Sequence, residues 1–288
     1  MQKHLWLTKI QRASPFTLLI WIFLVLVVLF TLTPLVFMFL ASFMTSKQIL
    51  RMPFSWLPEQ FYLQNFLKAL RGNDNSWIFL RNLFNSLLVA LTVATTTVLL
   101  ASITGYGLAK FHFKGRNIVF MLIMATMMIP FEAIMIPLYM VTTKLRLQNS
   151  YLGLILPFLV NAFGIFQMRQ YLLTFPTEYL DAARVDGMGE FRIFWNIVFP
   201  NCKPVIATLS ILSFRGQWDS LLWPLLITQS EKMKTIPLYI SKFAEEKMTD
   251  EGAMMAVALL ASIPMLILFA TLSKYFIGGA AVYESRKG

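Results

Sequence analysis

The chain has 288 residues, of which only 14% are charged and 57% are hydrophobic. A soluble domain carries roughly a quarter charged residues, so this composition excludes a water-soluble globular protein and indicates a membrane protein. The net charge of +11 comes from basic residues between long apolar runs, where they flank lipid head groups, so we expect a lipid bilayer and no nucleic acid as partner.

Charge-poor stretches divide the chain into pieces long enough to cross a bilayer. A helix needs about 20 apolar residues to do so. Six spans are predicted, at about 16–42, 82–109, 118–141, 151–172, 204–228 and 252–277. The first is far longer than the roughly 7–15 apolar residues of a signal peptide, so we expect it to be retained. The predicted fold is an all-α integral membrane protein, with six transmembrane helices forming one domain over residues 1–288.

The segment 173–203, between the fourth and fifth spans, has its own helical pattern. Residues 179–184 predict a short helix, which Gly187 and Gly189 then break. After the break, apolar residues recur at helical spacing: Phe191, Phe194, Trp195 and Val198. Two prolines, Pro200 and Pro204, are expected to end one helix and begin the next. The pattern predicts two short helices outside the bilayer, with an apolar face that needs a partner surface.

This segment resembles the cytoplasmic coupling loop, or EAA loop, of binding-protein-dependent ABC permeases. The matching positions are Asp181, Ala182, Ala183, Asp186, Gly187, Phe194, Ile197, Phe199, Pro200 and Pro204. Asp181 stands where the family has Glu, and Phe199 where it has Leu. The stretches 81–86, 105–110, 129–139 and 217–225 are similar to carbohydrate permeases of the maltose-transporter type, with Asp219 where Asn is usual. The C-terminal residues 281–288 depart from the usual family ending.

The resemblance implies a permease subunit of an ATP-driven importer for a sugar or related solute in the inner membrane, forming half of the translocation pathway. The implied partners are a second permease subunit, a dimeric cytoplasmic ATPase that holds ATP and Mg, an extracytoplasmic solute-binding protein and a sugar-like substrate. The chain has no Gly-x-x-x-x-Gly-Lys-Ser/Thr stretch, so we expect no cofactor of its own. A cytoplasmic coupling loop places both termini in the cytoplasm. The implied ATPase-coupling residues are Asp181, Ala182, Ala183, Asp186, Gly187, Phe194, Ile197 and Pro200.

Polar side chains within the spans are candidates for the substrate pathway, because charges are costly in the bilayer. Arg215 and Asp219 are four residues apart and form either a structural ion pair, the interpretation we favour, or part of the pathway. Glu132 either bonds a neighbouring helix or contacts substrate. Trp218 and Trp223 are either sugar-binding rings or interfacial belt residues. The remaining candidates are Asn161, Gln167 and Gln217.

Other classes of protein are less consistent with the sequence. His4 and His112 are too isolated for a metal site, and we expect no catalytic residues. The spacing of Ala101, Gly105 and Ala109 indicates close helix packing. A secondary transporter driven by an ion gradient is the alternative. It would show inverted repeats or interrupted spans with paired acids, and we expect neither here.

Overall fold

The computed structural model describes residues 15–71, 77–245 and 250–284, and the described part is helical with no strand. Contacts divide the chain into two compact units. The first is Met1–Ala69 with Glu246–Leu260, and the second is Leu70–Glu245 with Ala261–Gly288. The prediction of one domain over residues 1–288 stays a prediction.

The first unit contains helices α1 (Pro15–Ala41), α2 (Ser46–Ile49) and most of α3 (Gln64–Arg71), with the first turns of α15 (Glu251–Glu284). Helix α1 is apolar on all sides and only its last residue is buried, as expected of a helix surrounded by lipid. Its bounds lie within one residue of the predicted span 16–42.

Asp250 ties the start of α15 to the rest of the first unit. Its carboxylate accepts hydrogen bonds from Ser46 Oγ at 3.1 Å, from Lys68 Nζ at 2.6 Å and from the Ala253 backbone N–H at 3.1 Å. Burial alone would raise the pKa of Asp250, but these hydrogen bonds outweigh it and hold the pKa below its ordinary value. Asp250 therefore acts as an ionised cap on the last helix.

The second unit is built around α4 (Ile78–Lys110), against which α8 (Ala162–Leu173) and α12 (Lys203–Trp218) pack. Small residues allow the close approach of α4 and α8. A Cβ added at Gly105 would lie 2.8 Å from Met168 Cγ, and Ala101 is buried in the same contact. The interpretation of this spacing as helix packing is confirmed.

The third and fourth spans are interrupted. Helices α5 (Arg116–Thr126) and α6 (Phe131–Lys144) meet at 93°. Helix α7 (Tyr151–Ile155) continues as a 3₁₀ turn, Leu156–Phe158, and meets α8 at 42°. Pro130 and Pro157 lie at the two interruptions, where proline disfavours continuous helix. The predicted spans 118–141 and 151–172 are therefore each interrupted. They do not carry the paired acids that an ion-gradient transporter would place there, since Glu132 is the one acidic residue between Arg116 and Leu173.

The rest of the second unit comprises the segment before α12, the elements that follow α12 up to Glu245, and α15 from Ala261 onward. Helices α9 (Glu178–Val185) and α10 (Glu190–Ile193), a π-helical turn Phe194–Val198, and α11 (Phe199–Asn201) precede α12. After α12 come α13 (Leu222–Ile227), a 3₁₀ turn Glu231–Met233 and α14 (Ile236–Glu245). The predicted fifth span 204–228 is therefore broken after Trp218.

The number of membrane spans depends on how bent pairs are counted. In the described residues, three helices are long and apolar enough alone, and up to six spans result if each bent pair is one span. The third such pair joins Glu190–Asn201 to α12 at 78°. The predicted number of six lies at the upper end of this range.

Candidate functional site

The segment 173–203, for which we keep the name coupling loop while its contact with an ATPase stays a prediction, contains the short helix α9. Glu178 and Asp181 lie in its first turn, where negative charge stabilises a helix N-terminus. After α9 ends, Gly187 adopts a φ of +77°, and a Cβ placed there would meet no heavy atom within 4 Å. A residue with a side chain is strained at this φ. The predicted helix and the predicted break at Gly187 are confirmed.

A chain of hydrogen bonds joins the coupling loop to α4. Tyr106 Oη donates to Glu190 Oε2 at 2.8 Å. Arg184 Nε donates to Glu190 Oε1 at 2.7 Å, and Arg184 Nη1 donates to Asp181 Oδ1 at 2.8 Å. The hydrogen bond with Glu190 is the main cause that raises the pKa of Arg184. The network connects α9, α10 and α4 through one carboxylate.

Three members of this network were not predicted from the sequence. The ion pair of Arg184 with Asp181 could have been predicted, because the two residues are three apart in a helix, a spacing at which side chains meet. Tyr106 and Glu190 are 84 residues apart, and no local pattern connects them.

The apolar face of the loop packs against its own chain. Ile193, Phe194 and Val198 are buried in a cluster formed with α4, α8 and α12. The ring centroids of Phe194 and Tyr106 are 5.6 Å apart. The expectation that the predicted apolar face needs a separate partner is therefore wrong for Phe194 and Val198, because the membrane helices of the same chain cover them.

Beyond the end of α8, three large apolar side chains of the loop remain exposed: Tyr179, Val185 and Phe191. We call them the exposed edge of the loop. The predicted coupling residues are divided between the two environments. Asp181, Ala182, Asp186, Gly187 and Pro200 are exposed, Ile197 is half-buried, and Ala183 and Phe194 are buried. Their contact with an ATPase stays a prediction.

Arg215 and Asp219 form the expected ion pair, with 3.3 Å between Arg215 Nε and Asp219 Oδ2. Their side chains are 67% and 62% exposed, so the pair does not lie in the interior of this subunit. Gly216, between them, also leaves open space at the surface of α12.

The two tryptophans are packing residues in this conformation. Trp223 is wholly buried and donates from Nε1 to the Gly153 carbonyl at 3.0 Å. Trp218 is buried and stacks on Phe214 with ring centroids 5.4 Å apart. The interfacial-belt interpretation is therefore wrong for Trp223, because its ring and its N–H are satisfied inside the protein.

The other pathway candidates lie in different settings. Asn161 caps α8 by accepting a hydrogen bond from the Gly164 N–H at 2.9 Å. Glu132 is exposed in the first turn of α6, and Gln217 is half-buried on α12. Gln167 lines a cavity of about 340 Å³ between α8, α12 and α15. The cavity's other polar lining groups are Gln170, Tyr171, Thr208 and Tyr275. In the described part of the chain, no cluster of three His, Cys, Asp or Glu side chains could hold a metal ion.

Comparisons with known proteins show what this chain is similar to. Residues 97–279 match the family described as binding-protein-dependent transport system inner membrane component. The arabinooligosaccharides transport system permease protein AraQ of Bacillus subtilis (strain 168) is 35% identical over 271 residues, covering 93% of this chain and 95% of AraQ. The sn-glycerol-3-phosphate transport system permease protein UgpE of Brucella abortus (strain 2308) is 33% identical, covering 91% and 94%.

Two further comparisons agree with the similarity to transport system permeases. The lactose transport system permease protein LacG of Rhizobium radiobacter is 34% identical over 85% of this chain and 88% of LacG. A chain of a bacterial ABC transporter involved in the import of the acidic polysaccharide alginate has the same fold, with a TM-score of 0.79 at 22% identity over 91% of this chain and 96% of that one. An ion-gradient transporter is not supported. The chain belongs to the family of binding-protein-dependent transport system inner membrane components, the permease subunits of ABC importers.

Proposed function

We propose that the chain is the permease subunit of an importer for a sugar or a sugar-like solute. The observation that carries this proposal is the similarity, over most of the chain, to permeases named for arabinooligosaccharides, sn-glycerol-3-phosphate and lactose. These three substrates share closely spaced hydroxyl groups. A substrate of that class, recognised by hydrogen bonds, is therefore the natural candidate here.

The coupling loop is the element that transmits work from a separate ATPase dimer, which binds ATP and Mg. Its exposed edge of Tyr179, Val185 and Phe191 offers large apolar side chains that the chain itself leaves uncovered. Burial of such side chains against a partner is favourable by about 1.5–3 kcal/mol each. On its other side the loop is fixed to α4 through Glu190, so movement of the loop moves the membrane helices.

This coupling sets the orientation of the chain. A loop that contacts a cytoplasmic ATPase is itself cytoplasmic, and with six spans both termini lie on the same side. A second permease subunit completes the pathway, and an extracytoplasmic binding protein delivers the solute. A reporter fused after Lys114 should then be cytoplasmic, and one fused after Arg71 should be periplasmic. The reverse pattern would contradict the proposed orientation.

The substrate pathway runs along the exposed face of α12. Both side chains of the Arg215–Asp219 ion pair are more than 60% exposed. Charged side chains in contact with lipid tails are costly, so this pair faces water or the second permease. The cavity beside Gln167 adds amide and hydroxyl groups of the kind that bind sugar hydroxyls. Trp218 and Trp223 act in this pathway as supports of the helices that line it.

The proposed coupling is tested by co-purification. Phe191→Ala removes a large exposed side chain from the loop without opening the core, so we expect the permease to insert normally and to lose most of its co-purifying ATPase. Phe113→Ala is the matched control, because Phe113 is also an exposed phenylalanine but follows α4 outside the coupling loop. Equal ATPase recovery from the two variants would refute docking at the exposed edge.

The substrate class is tested in proteoliposomes that contain the purified transporter and its binding protein. Uptake of labelled arabinooligosaccharide, lactose and glycerol 3-phosphate should depend on ATP, and at least one should compete with the others. Uptake of an amino acid in preference to all three would overturn the sugar assignment but leave the permease role intact.

A further inference from the structure

The segment 50–63, which follows the first span, is held in one conformation although it contains no helix. Gln48 is buried, donates from Nε2 to the Leu57 carbonyl at 2.9 Å, and accepts from the Glu59 N–H at 3.4 Å. At its far end the Tyr62 N–H donates to the Phe43 carbonyl at 2.9 Å. These hydrogen bonds fix the backbone of the segment and thereby determine which of its side chains are exposed.

These side chains are unusually apolar for a connecting segment. Seven large hydrophobic residues are exposed within it: Leu50, Met52, Phe54, Trp56, Leu57, Phe61 and Leu63. Phe54, Trp56 and Phe61 are 41%, 49% and 74% exposed. Since an aromatic side chain offers about 150–250 Å², these three alone leave on the order of 300 Å² uncovered. Soluble proteins rarely leave larger apolar patches to water.

We call the seven exposed hydrophobic residues of the segment 50–63 the apolar strip. Contacts with the first span fix its position. The ring centroid of Phe37 lies 5.3 Å from that of Phe54 and 6.1 Å from that of Trp56. Phe37 is four residues before the end of α1, which is about 6 Å along the helix axis. The Phe43 and Phe61 rings, 5.6 Å apart, extend the contact past the helix end. The strip therefore lies at the depth where a lipid-surrounded helix leaves the hydrocarbon region.

We infer that the segment 50–63 is an interfacial anchor that lies in the lipid head-group and acyl boundary beside the first span. Trp and Phe side chains are favoured at that depth, and the strip continues the apolar surface of α1. The Arg51–Glu59 ion pair in the same segment is largely exposed, with 3.1 Å between Arg51 Nη1 and Glu59 Oε1. Head groups and water keep such a pair hydrated, whereas burial in a dry protein interface would cost both groups their hydration. A dissociating binding protein would leave the strip in water after each cycle.

The inference is tested by spin labels in the assembled transporter, reconstituted in nanodiscs of phosphatidylethanolamine and phosphatidylglycerol. Cysteines replace Leu57 and Phe61 in separate variants, and Gln60→Cys is the polar control between them. The unsubstituted transporter, whose buried Cys202 is the one cysteine of this chain, is labelled in the same way as the background. Collision rates are measured with oxygen, which concentrates in lipid, and with the water-soluble complex NiEDDA.

The expected result is a ratio of oxygen to NiEDDA collisions at least roughly threefold higher at positions 57 and 61 than at position 60, since only the apolar side chains enter the acyl boundary. NiEDDA accessibility at positions 57 and 61 equal to that at position 60 would place the strip in water and overturn the inference. Exclusion of both reagents at positions 57 and 61 would also overturn it, because it would show that a protein partner covers the strip.

Discussion

The Tyr106 hydroxyl offers a direct measurement of how firmly the coupling loop is held to the membrane helices. Tyr106→Phe removes one hydrogen bond to the Glu190 carboxylate and leaves the ring contacts in place. Hydrogen bonds to charged groups contribute about 1.5–3 kcal/mol. Glu190 is partly exposed and water can replace the lost donor, so the contribution of this hydrogen bond falls below that range. We expect a loss of about 1 kcal/mol in the free energy of unfolding.

A double-mutant cycle isolates this contact. Tyr106→Phe, Glu190→Ala and the double variant are unfolded in mixed micelles, and the coupling energy between the two sites should be about 1 kcal/mol. Tyr179→Phe and Glu178→Ala are matched controls, because both side chains are exposed in the same region and should show no coupling to each other. Uptake by Tyr106→Phe should fall more than its expression. Additive single effects together with full uptake would refute the role of Glu190 as the link.

Three further predictions concern other parts of the chain. Gly187→Arg and Gly187→Ala both strain the backbone at a φ of +77°, but only arginine also adds bulk and charge at the exposed turn. The arginine variant should therefore insert normally but lose uptake, whereas the alanine variant should keep most of its uptake. Asp250→Asn should cost less than about 1 kcal/mol of unfolding free energy and Asp250→Ala about 1 kcal/mol more, since only Asn keeps the helix cap. Because the folded pKa of Asp250 lies below its unfolded value of about 3.9, its stabilisation is complete above that pH, and melting curves should show the loss only as pH falls through the lower folded pKa. Replacing Arg215 and Asp219 together with alanine should preserve expression but impair uptake, and normal uptake by that variant would return the pair to a structural role.

The sequence predicts continuous helices better than it predicts where helices break. Apolar length was sufficient for α1 and α4, whose observed bounds lie within a few residues of the predicted spans. Proline does not identify the breaks alone. Pro34 and Pro137 lie inside helices, whereas Pro130 and Pro157 lie at interruptions. The outcome depends on whether neighbouring groups satisfy the freed backbone, which is a tertiary property.

The coupling loop shows the same division between local and tertiary information. Motif spacing was sufficient to predict the short helix and the turn at Gly187, because both depend on adjacent residues. Helical periodicity also identified the apolar side chains Phe194 and Val198, but periodicity does not say which surface covers them. That surface comes from α4, α8 and α12, which are distant in sequence. The Tyr106–Glu190 hydrogen bond is invisible from the sequence for the same reason.

The packing of the loop bears on how force passes through it. Ile193, Phe194 and Val198 are buried with the membrane helices, so separating the loop from them would expose several large apolar side chains at about 1.5–3 kcal/mol each. The exposed edge has three side chains for an external partner, and one of them, Phe191, is in the same short helix as the buried Ile193. A partner bound to Phe191 therefore pulls on a helix that is attached to the membrane helices. That attachment is at least as strong as the contact between the helix and the partner. Under load the contact with the partner should separate before the loop leaves the bundle, which is the condition for a loop that moves the membrane helices without itself unfolding.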